Sequence, residues 1–185
     1  GVDRWVGGVS TRGDARGEPW TAVPAVARLA RQAGAIIREN CAVRTLDITG
    51  GVIKGVVTED GRVACEQVVL AGGAWSSLLA RQHGVNIPQL SVRSTAIRTN
   101  PLPEFSVGNV SDTELSLRPR ADGGYTLAVS GQNGFYLGPD ALRHFTTYLP
   151  IFLDNWRELS LRPAAPTGFP DGWGTPRTWS ENEIS

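Results

Sequence analysis

The stretch that most constrains this chain is Val68-Val69-Leu70-Ala71-Gly72-Gly73-Ala74-Trp75-Ser76. Its run of valine and leucine predicts a strand buried on both faces, as strands of parallel α/β sheets are. Gly72 and Gly73 remove side chains where the backbone turns sharply or lets another group approach closely. Ser76 or Ser77 can cap the next element, because the run from Leu78 to His83 reads as helix and Gly84 ends it. A glycine loop between the C-terminal end of a buried strand and a helix is where open α/β sheets place their ligands. The same residues also make an ordinary strand-to-helix turn. Shape alone leaves the two readings equal.

At 185 residues the chain suits one domain, or a compact domain with a second piece attached. Apolar content of 41% against 19% charged describes a soluble globular protein. The formal net charge is zero, which argues against nucleic acid or an anionic membrane surface as partner. Lys54 is the lone lysine among eighteen basic side chains, and an arginine bias of that kind is not a binding signal. No apolar run approaches the roughly 20 residues of a membrane helix, and no signal-peptide pattern opens the chain. Cys41 and Cys65 fall in predicted strands without metal-like spacing, so reduced, buried thiols in a cytoplasmic protein are expected. The chain contains no methionine and begins Gly1-Val2-Asp3, from which a piece of a longer protein is expected.

Taken in order, residues 4–10 form a short strand candidate and residues 11–18 a loop. Pro19 suits the first position of a helix, with Thr21 as another possible cap. Val23, Val26, Ala27, Ala30 and Ala33 keep helical spacing to Gly34. Residues 35–39 resume as strand. Residues 42–48 and 52–58 alternate around Gly50-Gly51, a hairpin signal, and residues 62–65 form a third strand after Glu59-Asp60-Gly61. Beyond Gly84 the pattern turns antiparallel. Strand candidates cover residues 90–99, 107–110, 114–118 and 125–130, with a loop after them at 131–139. Asp140 is expected to cap a helix to Leu149, with a second helix over 151–159. From Arg162 the sequence is rich in proline, glycine and tryptophan, with no readable period. The predicted fold is mixed α+β and α/β: an α/β part over residues 1–88 with an inserted antiparallel hairpin, then a mainly antiparallel sheet domain with flanking helices over 89–185.

Self-sufficient catalytic motifs are missing from the sequence: no Walker loop, nucleophile elbow, zinc helix or G-x-G-x-x-G occurs. No metal ligands and no catalytic residue are assigned. His83 and His144 both fall near predicted helix segments, His83 within a last turn, where interaction with the helix dipole is the commoner role. Arg118 and Arg120 alternate onto one face of their strand before Asp122-Gly123 turns the chain. They are either a charged edge hairpin or a face presenting guanidinium to a carboxylate ligand. Arg16-Gly17-Glu18-Pro19 is likewise either a salt-bridged loop or a site loop. The six tryptophans are assigned to packing.

Cys41-Ala42-Val43-Arg44, the hairpin Gly50-Gly51-Val52-Ile53-Lys54-Gly55-Val56, Val68 to Ser77, and Arg118-Pro119-Arg120-Ala121-Asp122-Gly123-Gly124-Tyr125 together resemble the flavin-dependent D-amino-acid oxidase superfamily, the group with sarcosine and glycine oxidases. The likeness covers roughly residues 1–150, and Ala71-Gly72-Gly73-Ala74-Trp75-Ser76 carries most of it. It implies that residues 1–88 are a partial FAD-binding domain, with FAD held partly by Ala71, Gly72, Gly73, Ala74 and Trp75 and with Val43 near the adenine, and it implies a substrate domain built on a large antiparallel sheet. It implies oxidation of the C–N bond of a small-molecule amine or amino acid, with Arg118 and Arg120 as candidates to clamp a substrate carboxylate. A non-catalytic flavoprotein subunit or scaffold is the alternative, and a homo- or hetero-oligomer is compatible with either. The family's G-x-G-x-x-G loop and acidic ribose partner have no match here, so weak or no flavin binding, and no turnover, is expected of this stretch alone.

Overall fold

A computed structural model describes residues 5–129 and 133–177. The elements in order are α1 (Pro19–Gln32), β1 (Val43–Thr49), β2 (Val52–Thr58), β3 (Gly61–Ala64), a 3-10 turn (Gly73–Trp75), α2 (Ser76–Gln82), β4 (Val92–Arg93), β5 (Ala96–Arg98), β6 (Val110–Ser111), β7 (Leu115–Pro119), β8 (Tyr125–Val129), β9 (Asn133–Tyr136), α3 (Pro139–Arg143), α4 (Phe145–Asn155), a 3-10 turn (Trp156–Glu158) and β10 (Leu159–Arg162). They form a β1-β2-β3 sheet, a β5-β8-β7-β6 sheet and a β10-β9-β4 sheet. Strand pairing is antiparallel except between β9 and β10. Each sheet draws its strands wholly from one side of residue 89.

The first sheet is a product of turn chemistry. Gly50 and Gly51 both take positive φ, 59° and 77°, which a two-residue primed turn requires. Val52 then returns against Thr49, and β3 adds on the other side of β2. The β7–β8 hairpin turns at Ala121-Asp122-Gly123-Gly124, with Gly123 at φ 82° and Asp122 Oδ1 accepting from the Gly124 amide at 3.1 Å. Pro19 occupies the start of α1, and Gly34 at φ 95° lies just past its end. No residue of α1 is buried, and Val23, Val26 and Leu29 are exposed along it. Leu78, Ala80, Tyr125 and Ala141 are the buried apolar side chains among the described residues.

Several expected elements are absent. Residues 68–71 are irregular and pair with no strand, and Val69 is 91% exposed. A strand needs a neighbour to take its amides and carbonyls, and no described strand pairs with this stretch. Residues 5–10 and 35–39 are likewise irregular. Residues 90–99 break at Ser94 and Thr95 into β4 and β5, which join different sheets. The strand expected at 107–110 shrinks to β6. The loop expected at 131–139 contains β9, and the second helix expected to Leu159 gives way to β10. That pair forms across a separation no local pattern signals. The helix expected over 140–149 divides at His144, and α4 runs through Pro150 to Asn155.

Glu18, Trp75 and Gly138 take the N-cap positions in place of the expected Thr21, Ser76 or Ser77, and Asp140, and none of these three caps its helix with its own side chain. Cys41 precedes β1 and Cys65 comes just after β3, so both lie outside strands, half-buried and free of any disulfide. Arg4, Ser130, Gly131, Gln132 and residues 178–185, on which further expectations fell, lie outside the described residues. No described helix is long and apolar enough to cross a membrane.

Candidate functional site

The Ala71–Trp75 loop opens α2 through its 3-10 turn. The Trp75 amide donates to the Gly72 carbonyl at 3.1 Å, and Gln89 Nε2 donates to the Gly73 carbonyl at 3.1 Å. Gly73 holds φ 55°, a left-handed conformation that glycine takes without strain, and a Cβ placed there would meet nothing within 4 Å. A Cβ on Gly72 would touch Ser76 Oγ at 3.4 Å. The first amides of a helical turn have no acceptor within it. The bare backbone at Gly73, with open space in front of it, lets another group approach the main chain closely. Trp75 is 55% exposed and Val43, at the start of β1, is 44% exposed. Val43 pairs with Thr58 across the sheet.

The C-terminal end of α2 is fixed to the same sheet. His83 Nε2 accepts the Leu46 amide at 3.1 Å and lies 3.2 Å from Thr45 Oγ1. His83 thus serves as a bracket between the C-terminal end of α2 and β1. His144 is buried at the α3–α4 junction.

The second group surrounds β7. Arg118 and Arg120 share a face, as alternation requires, and both guanidinium groups lie over the Trp20 ring, at 5.3 and 5.0 Å from its centroid. Arg118 Nη1 donates to the Gly17 carbonyl at 2.6 Å. The Arg120 side chain is 1% exposed and pairs with Asp122, while its Nε and Nη1 are buried with no hydrogen-bond partner among the described residues. Glu18 Oε1 accepts the Ala121 amide at 3.2 Å, and Arg16 Nη1 donates to the Val107 carbonyl at 3.1 Å. Residues 16–20 therefore form a strap across the end of the four-stranded sheet. Between strap and hairpin lies a cavity of about 320 Å³, lined by Arg16, Leu102, Glu104, Val107, Arg120 and Tyr125 among others. The buried Tyr125 ring stacks on Phe105 at 4.3 Å, and its hydroxyl accepts the Phe105 amide at 3.1 Å. The structure brings Arg118 and Arg120 together; the 71–75 loop contributes no residue to the lining of that cavity.

Trp20 was not legible as part of this group, since its partners lie about a hundred positions away. The same holds for a buried charge cluster at the start of α3. Asp171, 5% exposed, accepts the Asp140 amide at 2.8 Å through Oδ1 and the Ala141 amide at 3.3 Å through Oδ2. Asp140, 2% exposed, pairs with Arg81 of α2 at 2.9 Å and with Arg143. Burial pushes the Asp171 carboxyl above the usual carboxylate range, more than its amide donors and Arg177 pull it down. Among the described residues no group of histidine, cysteine and carboxylates could hold a metal ion.

The family model "DAO: FAD dependent oxidoreductase" matches residues 1–181. The D-amino acid dehydrogenase of Sinorhizobium medicae (strain WSM419) is 35% identical over 109 residues, covering 59% of this chain and 26% of that protein. The 4-methylaminobutanoate oxidase (formaldehyde-forming) of Paenarthrobacter nicotinovorans is 35% identical over 107 residues, 56% of this chain and 13% of that protein. Among solved structures, L-amino acid deaminase from Proteus myxofaciens in complex with anthranilate superposes with a TM-score of 0.77 at 31% identity, over 88% of this chain and 36% of that one. The chain thus spans about a quarter or less of these curated relatives. It belongs to the DAO family of FAD-dependent oxidoreductases.

Proposed function

We propose that this chain is part of a flavoprotein that oxidises the C–N bond of an amine or amino acid. FAD, when bound, supplies the hydride acceptor. The observation that carries the reading is that the relatives found by sequence and by structure are named for amino-substrate chemistry: a D-amino acid dehydrogenase, a 4-methylaminobutanoate oxidase and an L-amino acid deaminase.

In this reading Val43 and Ala71 to Trp75 form one wall of the flavin site, contacted through main chain that carries no large side chain at Gly72 and Gly73. Residues 1–88 supply that wall, and residues 89–185 supply the substrate-facing sheet. Arg118 and Arg120 take a substrate carboxylate. A planar guanidinium matches a carboxylate in charge and geometry, and Arg120 keeps two donors without partners among the described residues. The complex of the Proteus myxofaciens deaminase with anthranilate, itself a carboxylate, is in line with that role.

The test is the absorbance spectrum of the full-length flavin-loaded protein, mixed anaerobically with D-amino acids, L-amino acids and N-methyl amino acids. Bleaching of the flavin by any of them supports the reading. A flavin inert to all of them favours a non-catalytic flavoprotein subunit, and a protein that binds no flavin refutes the assignment.

A further inference from the structure

We propose that Trp20 is a positioning residue for carboxylate recognition, holding the Arg118 and Arg120 guanidinium planes in register from the first turn of α1. This rests on the reading that the two arginines take a substrate carboxylate. The geometry is specific. One indole centroid lies within 5.3 Å of both guanidinium carbons, on residues two apart at the C-terminal end of β7. Arginine carries several rotatable bonds, and ordering two such side chains in advance removes an entropic cost that substrate would otherwise bear. The ring's negative face attracts both cations and balances two like charges held side by side. It does so without occupying their hydrogen-bond donors, which point in the guanidinium plane, so the donors not already given to Gly17 and Asp122 stay available to a carboxylate.

The rest of the strap fixes the indole itself. Pro19 sets the first turn of α1 beneath Trp20. Glu18 reaches across to the Ala121 amide, and Gly17 offers its carbonyl to Arg118. Asp122 holds Arg120 from the turn side. The charged groups around the pair are thus Glu18, Asp122, and the cavity-lining Arg16 and Glu104.

The test uses Trp20→Phe and Trp20→Leu in the flavin-loaded protein. Both keep apolar bulk, and only phenylalanine keeps an aromatic face. The readouts are kcat and KM for an amino-acid substrate, KM for the amine lacking its carboxylate, and the Kd of benzoate as a non-reacting carboxylate. Trp20→Leu is expected to raise the amino-acid KM and the benzoate Kd about 3- to 10-fold, the range that loss of a partly desolvated cation–π contact gives. It should leave kcat and the KM of the amine unchanged, and Trp20→Phe should recover most of the loss. Equal effects of Phe and Leu, or parallel changes for both substrates, overturn the inference. Arg118→Ala, measured alongside, separates the two levels of failure. If it leaves amino-acid and amine substrates in the same KM ratio as the parent, the carboxylate reading itself falls. If that ratio changes while Trp20→Leu does nothing, the reading stands and the role of Trp20 is refuted.

Discussion

Replacing Asp171 should both destabilise the protein and change the shape of its pH–stability profile. Its carboxylate caps the start of α3 from the C-terminal loop, accepting the Asp140 and Ala141 amides. Asp171→Ala orphans two buried donors at about 1–3 kcal/mol each, giving a loss of about 2–6 kcal/mol. For a chain of this size that is roughly 5–15 °C of melting temperature. Asp171→Asn keeps one acceptor oxygen and should cost about 1 kcal/mol. The titration supplies a second signature. Burial first, and the Asp140 carboxylate next, hold the native Asp171 pKa above its unfolded value. Such a group binds its proton more tightly when folded. Its contribution to stability is complete below the unfolded pKa and is lost as pH rises through the raised native pKa. Thermal melts monitored by circular dichroism across the acidic range should show the parent losing stability over that window relative to Asp171→Asn. An alanine variant melting within about 2 °C of the parent, or the same pH slope in parent and asparagine variant, would refute the reasoning.

Gly138 is a second sensitive point beside the same carboxylate. A Cβ there would collide with the Asp171 main-chain carbonyl and its carboxylate, so Gly138→Ala should cost about 1–3 kcal/mol by overpacking, measured by chemical denaturation. Gly73→Val probes the glycine loop. Its left-handed φ makes valine strained by about 1–2 kcal/mol, and the new branch fills the open space in front of the backbone. Flavin affinity should fall at least 10-fold by fluorescence titration, if the loop is a flavin wall; unchanged affinity with an equally stable protein excludes that role. At the β7–β8 turn, Gly124→Ala would bring a Cβ to 2.7 Å from the Thr99 carbonyl. It should destabilise the hairpin by about 1–3 kcal/mol, seen as faster amide exchange at Tyr125 than in the parent.

Local chemistry was the part of the fold legible in the sequence. Gly50-Gly51 dictated the β1–β2 hairpin because both positions need positive φ, whatever the rest of the chain does. Pro19, whose fixed negative φ suits a first helical turn, and Gly34, at positive φ past the end, bracketed α1. Val68 to Leu70 has the side-chain character of a buried strand and no more than that. Pairing is a property of neighbours, and the described residues provide none there. β9 and β10 escaped notice because a parallel pair some twenty-five positions apart leaves no period in either segment. At the candidate sites, the alternation of Arg118 and Arg120 was legible, whereas Trp20 beneath them and Asp171 beneath Asp140 were not. Each joins segments far apart in the chain, and composition carries no trace of that.

The strap of residues 16–20 has a kinetic consequence. Its contacts with Val107, Arg118 and Ala121 span 91, 101 and 103 positions. Closing so long a loop costs chain entropy that the β7–β8 hairpin, with its short turn, does not incur. The hairpin can therefore assemble first and present its paired arginines as a ready surface, onto which the start of α1 docks late. On unfolding the order reverses. The strap should be the first part of this assembly to open, and exchange at the Ala121 amide should outpace that inside β8.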